Sequence, residues 1–125
     1  MIWQFTVTGT PRTKKNSSVL VRPGGGKLRP IPSKSWREWC RTAIIVWKGR
    51  NLINADFRID YPVNCKAVFY RDANRGDACG FYQGLADLLE KLGVVKDDKY
   101  IVSWNGSRLD KDAKNPRTEV ELESI

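Results

Sequence analysis

Residues 63–93 read VNCKAVFYRDANRGDACGFYQGLADLLEKLG, a strand pattern followed by a helix pattern. Residues 63–70 follow Pro62 and are rich in β-branched and aromatic side chains, which is typical of a β-strand. The apolar residues of the second half recur at helical spacing, and they are Phe81, Leu85, Leu88, Leu89 and Leu92. Asp77 is suited to be the N-cap of this helix and Gly93 to end it. A strand and a helix joined by a polar loop therefore form the centre of the predicted fold.

Two further elements are predicted before this segment. Residues 2–8 are again rich in β-branched and aromatic side chains and predict the first strand. A helix is indicated by apolar residues that share one helical face: Trp36, Trp39, Cys40, Ala43, Ile44 and Trp47. We expect it to begin with a capping box formed by Ser35 and Glu38 and to end at Gly49.

Two closing strands are predicted at residues 100–104 and 118–122, with Asn105-Gly106 as a turn or bulge between them. The fold class is therefore expected to be α+β, with a single small mixed β-sheet packed with about two helices. Two helices on one face leave either the other face of the sheet or one helix flank to be covered. In a chain this short a second subunit is the expected cover, so we predict a two-fold homodimer.

The composition fits one small globular domain, residues 1–125. Its 41% hydrophobic and 10% aromatic content exclude a disordered chain. The sequence contains no apolar run long enough to predict a membrane-spanning segment, so we expect no membrane among its partners. Residues 1–5 lack the features of a signal peptide, so we expect a cytoplasmic location. Three widely spaced cysteines, expected to be buried thiols, disfavour a disulfide framework, and the absence of histidine excludes histidine-based catalysis.

The excess positive charge lies in the first third of the chain. No acidic residue precedes Glu38, whereas eight basic residues do: Arg12, Lys14, Lys15, Arg22, Lys27, Arg29, Lys34 and Arg37. The other 88 residues carry 14 basic and 14 acidic side chains, so their net charge is zero. Proline and glycine interrupt the basic segment, and we predict a flexible basic loop at residues 10–34. Such a loop suits a polyanion such as nucleic acid, although a solubilising surface loop is the alternative.

Carboxylates precede and follow the second predicted helix. Asp97 and Asp98 lie at the entry to a strand, where hard oxygen ligands on a rigid edge could hold a divalent metal, or where they could form a solvated turn. Asp77 lies at the other end of the helix, about 20 Å away at 1.5 Å per residue. Spacing alone therefore does not bring Asp77 and Asp98 together.

At these residues the sequence resembles the RusA family of Holliday junction resolvases. The family pattern has Gly-x-Pro near the start with a polar, Asn-containing stretch after it. Asp-x-Asp-Asn-x-x-Lys-x-x-x-Asp-x-Leu then opens a helix, and a glycine and an Asp-Asp pair follow before a strand. The counterparts in this chain are Gly9, Pro11, Asn16, Asp77, Asp87, Leu89, Gly93, Asp97 and Asp98. The resemblance implies a dimeric, Mg²⁺-dependent (or Mn²⁺-dependent) endonuclease of phage type that cuts four-way DNA junctions.

The resemblance also implies a metal site, with one ligand missing. Asp77 and Asp98 match two of the family's metal ligands, with Asp97 assisting catalysis. The Asp-x-Asp motif is degenerate, because three family positions are replaced, by Cys79, Gly80 and Gln83. A thiol is a poor Mg²⁺ ligand, and Asp72, five residues upstream of Asp77, is a possible replacement.

The expected DNA contacts are Arg12, Lys14, Lys15, Asn16, Lys27, Arg29 and Lys99. Either Lys15 or Lys99 would stabilise the leaving oxygen in place of the family's lysine. A stripe on the second helix that contains Gly80, Gln83, Gly84 and Asp87 either faces solvent or lets a backbone approach closely, and the resemblance favours the close approach. A DNA-binding module of the same fold that has lost cleavage is the main alternative function, and an RNA-binding protein is disfavoured because the tryptophans have a core-facing pattern.

Overall fold

The structure, a computed structural model, describes residues 2–13, 19–21, 29–31, 33–49 and 58–125. Its elements in chain order are strands β1 (Ile2–Thr8), β2 (Val19–Val21) and β3 (Arg29–Ile31), helix α1 (Lys34–Gly49), strand β4 (Val63–Arg71), helix α2 (Ala78–Lys91), a short 3₁₀ helix (Asp98–Tyr100), and strands β5 (Ile101–Ser103), β6 (Arg108–Lys111) and β7 (Arg117–Ser124). The described part of the chain is therefore α+β with a mixed sheet and two α-helices, as predicted. The mixed sheet has five strands, and β2 and β3 form a separate two-stranded sheet.

The sheet is ordered β1-β7-β4-β5, and β6 also pairs with β4. β7 pairs antiparallel with both β1 and β4, whereas β5 and β6 run parallel to β4. β5 and β6 thus occupy the same edge of β4, one after the other. The interruption between them is a turn at Asn105-Gly106, in which Gly106 has a φ of 85°. A turn was predicted at these residues, but it leads into β6 and not directly into the strand at 118–122.

The polar strand β6 is missing from the sequence prediction, which has one strand at residues 100–104 and the next at 118–122. In the structure, the 3₁₀ helix occupies the first part of the former range, and β5 begins at Ile101. β6 has one large apolar side chain, Leu109, and lies at the sheet edge. Its backbone pairing with β4 stabilises it, which side-chain patterning does not reveal.

Both helices pack against one face of the sheet. Inward side chains of the central strands, such as Cys65, Phe69 and Leu122, form one core with the tryptophans of α1 and the leucines of α2. The outward side chains of the same strands are largely polar, and Glu119, Glu121 and Glu123 lie in a row along β7. The open sheet face therefore carries an acidic stripe.

The helix ends match those predicted from the sequence, with one exception. Asp77 is the N-cap of α2, and Gly93 follows the helix with a φ of 77°, as predicted. The predicted capping box at Ser35 and Glu38 is wrong, because α1 begins at Lys34 and the Oγ of Ser33 accepts the Trp36 N–H at 3.3 Å. Ser33 also donates to the carbonyl oxygen of Thr13 at 3.3 Å, a long-range contact that favours it over Ser35.

The predicted loop at residues 10–34 includes a small antiparallel pair, β2 and β3. Lys14, Lys15, Asn16 and Lys27 lie outside the described residues. Arg29 lies in β3, where only the backbone is described. Neither α1 nor α2 is long and apolar enough to span a membrane.

Candidate functional site

The N-terminus of α2 is built around Asp77. Its Oδ1 accepts the backbone N–H of Gly80 at 2.8 Å, which satisfies an amide that the first turn leaves unpaired. A Cβ atom at Gly80 would lie 2.7 Å from that same oxygen. The glycine at this position therefore accommodates the cap, and one oxygen of the predicted metal ligand Asp77 is engaged in capping.

The other two positions that depart from the family pattern are on the surface of α2. The side chains of Cys79 and Gln83 are exposed. Cys40 and Cys65 are buried, and burial raises the pKa of the Cys65 thiol. The expectation that all three thiols are buried is wrong for Cys79, because residue 79 lies on the outer side of the first helical turn.

Residues 11–13 cross α2 at its glycines. A Cβ atom at Gly84 would lie 2.9 Å from the carbonyl oxygen of Arg12 and 3.2 Å from Nε1 of Trp36, and one at Gly80 would lie 3.1 Å from the Thr13 side chain. At Gly84 this stripe lets a backbone approach closely, which was one of the two predicted alternatives, whereas Gln83 in the same stripe faces solvent, which was the other. The contact places the backbone of Arg12 beside the middle of α2.

Asp72 lies in the loop between β4 and α2, in contact with an arginine. Its two carboxylate oxygens accept hydrogen bonds from Nη2 of Arg75 at 3.1 and 2.9 Å. Partial burial raises the pKa of Asp72, but the hydrogen bond and charge of Arg75, together with the charge of Arg12, lower it overall. Asp72 is therefore a carboxylate that is hydrogen-bonded to Arg75 and whose ionised form is further favoured by the charge of Arg12.

A second acidic group lies at the opposite end of α2. Carboxylate oxygens of Glu90, Asp97 and Asp98 lie within 4.8 Å of one another. Asp97 caps the 3₁₀ helix by accepting the Lys99 N–H at 3.0 Å, and this hydrogen bond is the main cause that lowers the pKa of Asp97. Three converging carboxylates are a donor set that suits Mg²⁺.

Glu90 was not among the residues singled out from the sequence. It lies in the last turn of α2, and the chain reverses at Gly93 before it reaches Asp97. The signal that could have identified it is its position just before a glycine that ends a helix, with an Asp-Asp pair directly after the turn.

The structure brings Asp97 and Asp98 together with Glu90, but within one chain it leaves Asp77 at the other end of α2. Fourteen helical residues separate the two ends, a length of about 20 Å. Among the described residues, Asp72 and Asp77 belong to no group of three acidic, cysteine or histidine side chains that could hold a metal.

Of the basic residues predicted to contact DNA, Arg12 and Lys99 have described side chains, and they lie near opposite ends of α2. Arg12 is half-buried beside the 72–76 loop. Lys99 is exposed, and its Nζ lies 5.3 Å from the ring centre of Tyr100, close to the acidic group. Each end of the helix therefore combines acidic and basic side chains.

No protein-family model matches the chain, and a search of curated proteins also finds no match. The resemblance to the RusA family stays a prediction that depends on the residues quoted above.

Proposed function

We propose that the chain is a Mg²⁺-dependent endonuclease that resolves four-way junctions or other branched DNA by phosphodiester hydrolysis. The observation that carries the proposal is the convergence of Glu90, Asp97 and Asp98 at the end of α2, in a chain whose first 37 residues contain eight basic and no acidic side chains. Carboxylates suit the metal, and the basic segment suits the phosphates of DNA.

Each carboxylate is placed by a different local structure. Glu90 is held by the last turn of α2, Asp97 by its cap on the 3₁₀ helix, and Asp98 by the first position of that helix. A bound Mg²⁺ would lower the pKa of a water molecule and neutralise charge on the scissile phosphate. The exposed Lys99, next to Asp98, is the described lysine suited to contact the leaving oxygen.

A two-fold homodimer is part of the proposal. The resemblance assigns both Asp77 and Asp98 to the metal, yet they lie at opposite ends of α2 in one chain. A two-fold axis perpendicular to a helix reverses its direction in the second copy. Two α2 helices paired in this way would bring Asp77 of one copy toward Asp98 of the other, giving two equivalent sites for a four-armed DNA.

A DNA-binding module without cleavage is the second candidate function. It is favoured by the first turn of α2, where Asp77 caps the helix and an exposed thiol stands in place of the second carboxylate. This candidate keeps the basic segment and the cytoplasmic location expected for both functions, and it requires no metal.

The test is incubation of the full chain with a synthetic four-way junction or a linear duplex, in Mg²⁺, Mn²⁺ or EDTA. Symmetric nicks in the junction alone, with either metal and not with EDTA, would support the endonuclease. Asp98→Asn should abolish them, whereas Glu123→Gln, an equal loss of charge on the open sheet face, should not. Junction binding in EDTA without nicks at any metal concentration would favour the binding module, and no binding would exclude both functions.

A further inference from the structure

Three arginines converge on a cleft between residues 10–13 and the loop that precedes α2. The cleft has a volume of about 170 Å³, and Arg12, Arg71, Asp72, Arg75 and Phe81 are among its lining residues. Asp72 is the one acidic side chain among the lining residues that the structure describes, and with three arginines it gives these residues a net charge of +2. A concave surface with this charge attracts anions and repels a divalent cation.

Arg71 is fixed in place by three acceptors. Its Nε donates to the carbonyl oxygen of Asp110 at 3.1 Å, its Nη1 to that of Arg75 at 3.3 Å, and its Nη2 contacts Oδ1 of Asn74 at 3.5 Å. A guanidinium has five N–H donors in a planar fork, so these three contacts leave donor capacity while they hold the group in position. Such a preorganised guanidinium suits the oxygens of a phosphate.

Arg75 already binds an oxyanion, the Asp72 carboxylate. Both contacts use Nη2, at 2.9 and 3.1 Å, and the two side chains are 65% and 37% exposed. Ion pairs at this exposure contribute little free energy, so the carboxylate is a weak competitor for the guanidinium. An incoming phosphate can therefore replace the carboxylate on Arg75.

We propose that the Arg12–Arg71–Arg75 cleft binds a phosphate group of nucleic acid, and that Asp72 is a built-in competing anion which the phosphate displaces from Arg75. The inference deepens the proposed function and rests on it for the source of the phosphate. Asp72 is then a residue that weakens DNA binding, in contrast to its predicted role as a replacement metal ligand.

The direct test is an NMR titration of the ¹⁵N-labelled chain, observed at the Nε–Hε signals of its arginines. One arm adds inorganic phosphate and the other a single-stranded deoxyoligonucleotide, both at constant ionic strength in EDTA. We expect both probes to shift Arg71 and Arg75 more than Arg41, which is exposed on α1. Shifts with phosphate alone would overturn nucleic acid as the source, and no selective shift with either probe would overturn the cleft as a phosphate site.

Variants separate the roles of the charges. In EDTA, Asp72→Asn should tighten junction binding by about two- to fivefold and steepen the slope of log K against log salt, whereas Arg75→Gln should weaken binding and flatten that slope by about 0.9. Arg71→Lys keeps the charge but removes the fork, so it should weaken binding without a comparable change in slope. Arg41→Ala is the matched control and should have little effect.

A failure of this inference can be distinguished from a failure of the proposed function. If the wild-type chain binds no DNA, the proposed function fails while the phosphate titration still tests the cleft. If the chain binds and cuts junctions but Asp72→Asn binds more weakly than wild type, the inference is overturned and the proposed function stands.

Discussion

The indole Nε1 of Trp36 donates a hydrogen bond of 3.1 Å to the carbonyl oxygen of Gly84, which ties α1 to the middle of α2. A Cβ atom at Gly84 would lie 3.2 Å from that nitrogen and 2.9 Å from the carbonyl oxygen of Arg12. Three segments of the chain thus meet at one glycine. Arg12 can lie this close to α2 because residue 84 is a glycine, which has no side chain.

Gly84→Ala should therefore destabilise the protein, although helix propensity alone would favour alanine by about 1 kcal/mol. The added methyl group meets backbone and a buried indole, and such overpacking costs about 1–3 kcal/mol. Thermal unfolding should show a lower Tm. Gln83→Ala, on the exposed side of the same turn, is the control and should change stability by less than about 0.5 kcal/mol. A higher Tm for Gly84→Ala would contradict the close approach.

The basic segment can be tested through the salt dependence of DNA binding. If Arg12, Lys14 and Lys15 contact phosphates, changing all three to alanine should weaken binding to every DNA and flatten the slope of log K against log salt by about 2–3, at about 0.9 per contact. The control changes Arg41, Lys111 and Lys114 to alanine, an equal loss of charge elsewhere. Equal slopes for the two triple variants would contradict the proposed phosphate contacts.

Oligomeric state is a separate prediction. We expect light scattering at micromolar concentration to give twice the chain mass of 14.3 kDa, because a site with both Asp77 and Asp98 needs a second copy. The measurement should be repeated in EDTA, since the expected dimer does not depend on metal. A mass near 14.3 kDa in both conditions would count against the two-copy site.

The pH dependence of stability should report the contact between Arg117 and Asp112. Nη1 of Arg117 donates to Asp112 Oδ2 at 2.8 Å, and this hydrogen bond is the main cause that lowers the pKa of the carboxyl group. The stabilisation is therefore present above the unfolded pKa of about 3.9 and is lost as the pH falls through the lower folded value.

Asp112→Asn should accordingly lower the Tm at neutral pH, and its difference from wild type should shrink as the pH falls below about 4. Asp60→Asn, at an exposed aspartate, is the control for the general effect of removing a negative charge. A Tm difference that stays constant down to acid pH would show that the carboxylate charge of Asp112 does not stabilise the fold.

The sequence predicts α2 almost to the residue because three independent signals agree: the apolar spacing, the Asp77 cap and Gly93. Prediction from the sequence fails where contacts between distant parts of the chain determine the structure. Ser33 and Ser35 are both suitable caps for α1, and the hydrogen bond from Ser33 to Thr13 distinguishes them only after folding. Pairing with β4 likewise determines the position of β6.

The same distinction between local sequence signals and long-range contacts applies to the candidate site. The separation of Asp77 from Asp98 follows from helix length and was predicted. The grouping of Glu90 with Asp97 and Asp98 depends on the chain reversal after α2. The arginine cleft depends on residues 10–13 packing beside the loop at 71–76, and no local pattern encodes that contact.

The last prediction concerns the metal ligands. Asp98→Asn should lower junction cleavage by more than about 100-fold, because it removes a hard anionic ligand, and should leave binding in EDTA largely unchanged. Glu90→Gln should raise the Mg²⁺ concentration needed for half-maximal cleavage, since Glu90 shares the group with Asp98.

Cys79→Asp should act in the opposite direction to Glu90→Gln. It places a carboxylate on the exposed first turn of α2 beside Asp77, so a site that is short of one ligand should need less Mg²⁺ for half-maximal cleavage. Gln83→Asp, which adds the same charge one turn further along the exposed helix surface, is the control and should change the Mg²⁺ requirement less. Wild-type cleavage by both Asp77→Asn and Asp98→Asn would contradict the proposed metal site, because these two residues are the ones that match the family's metal ligands.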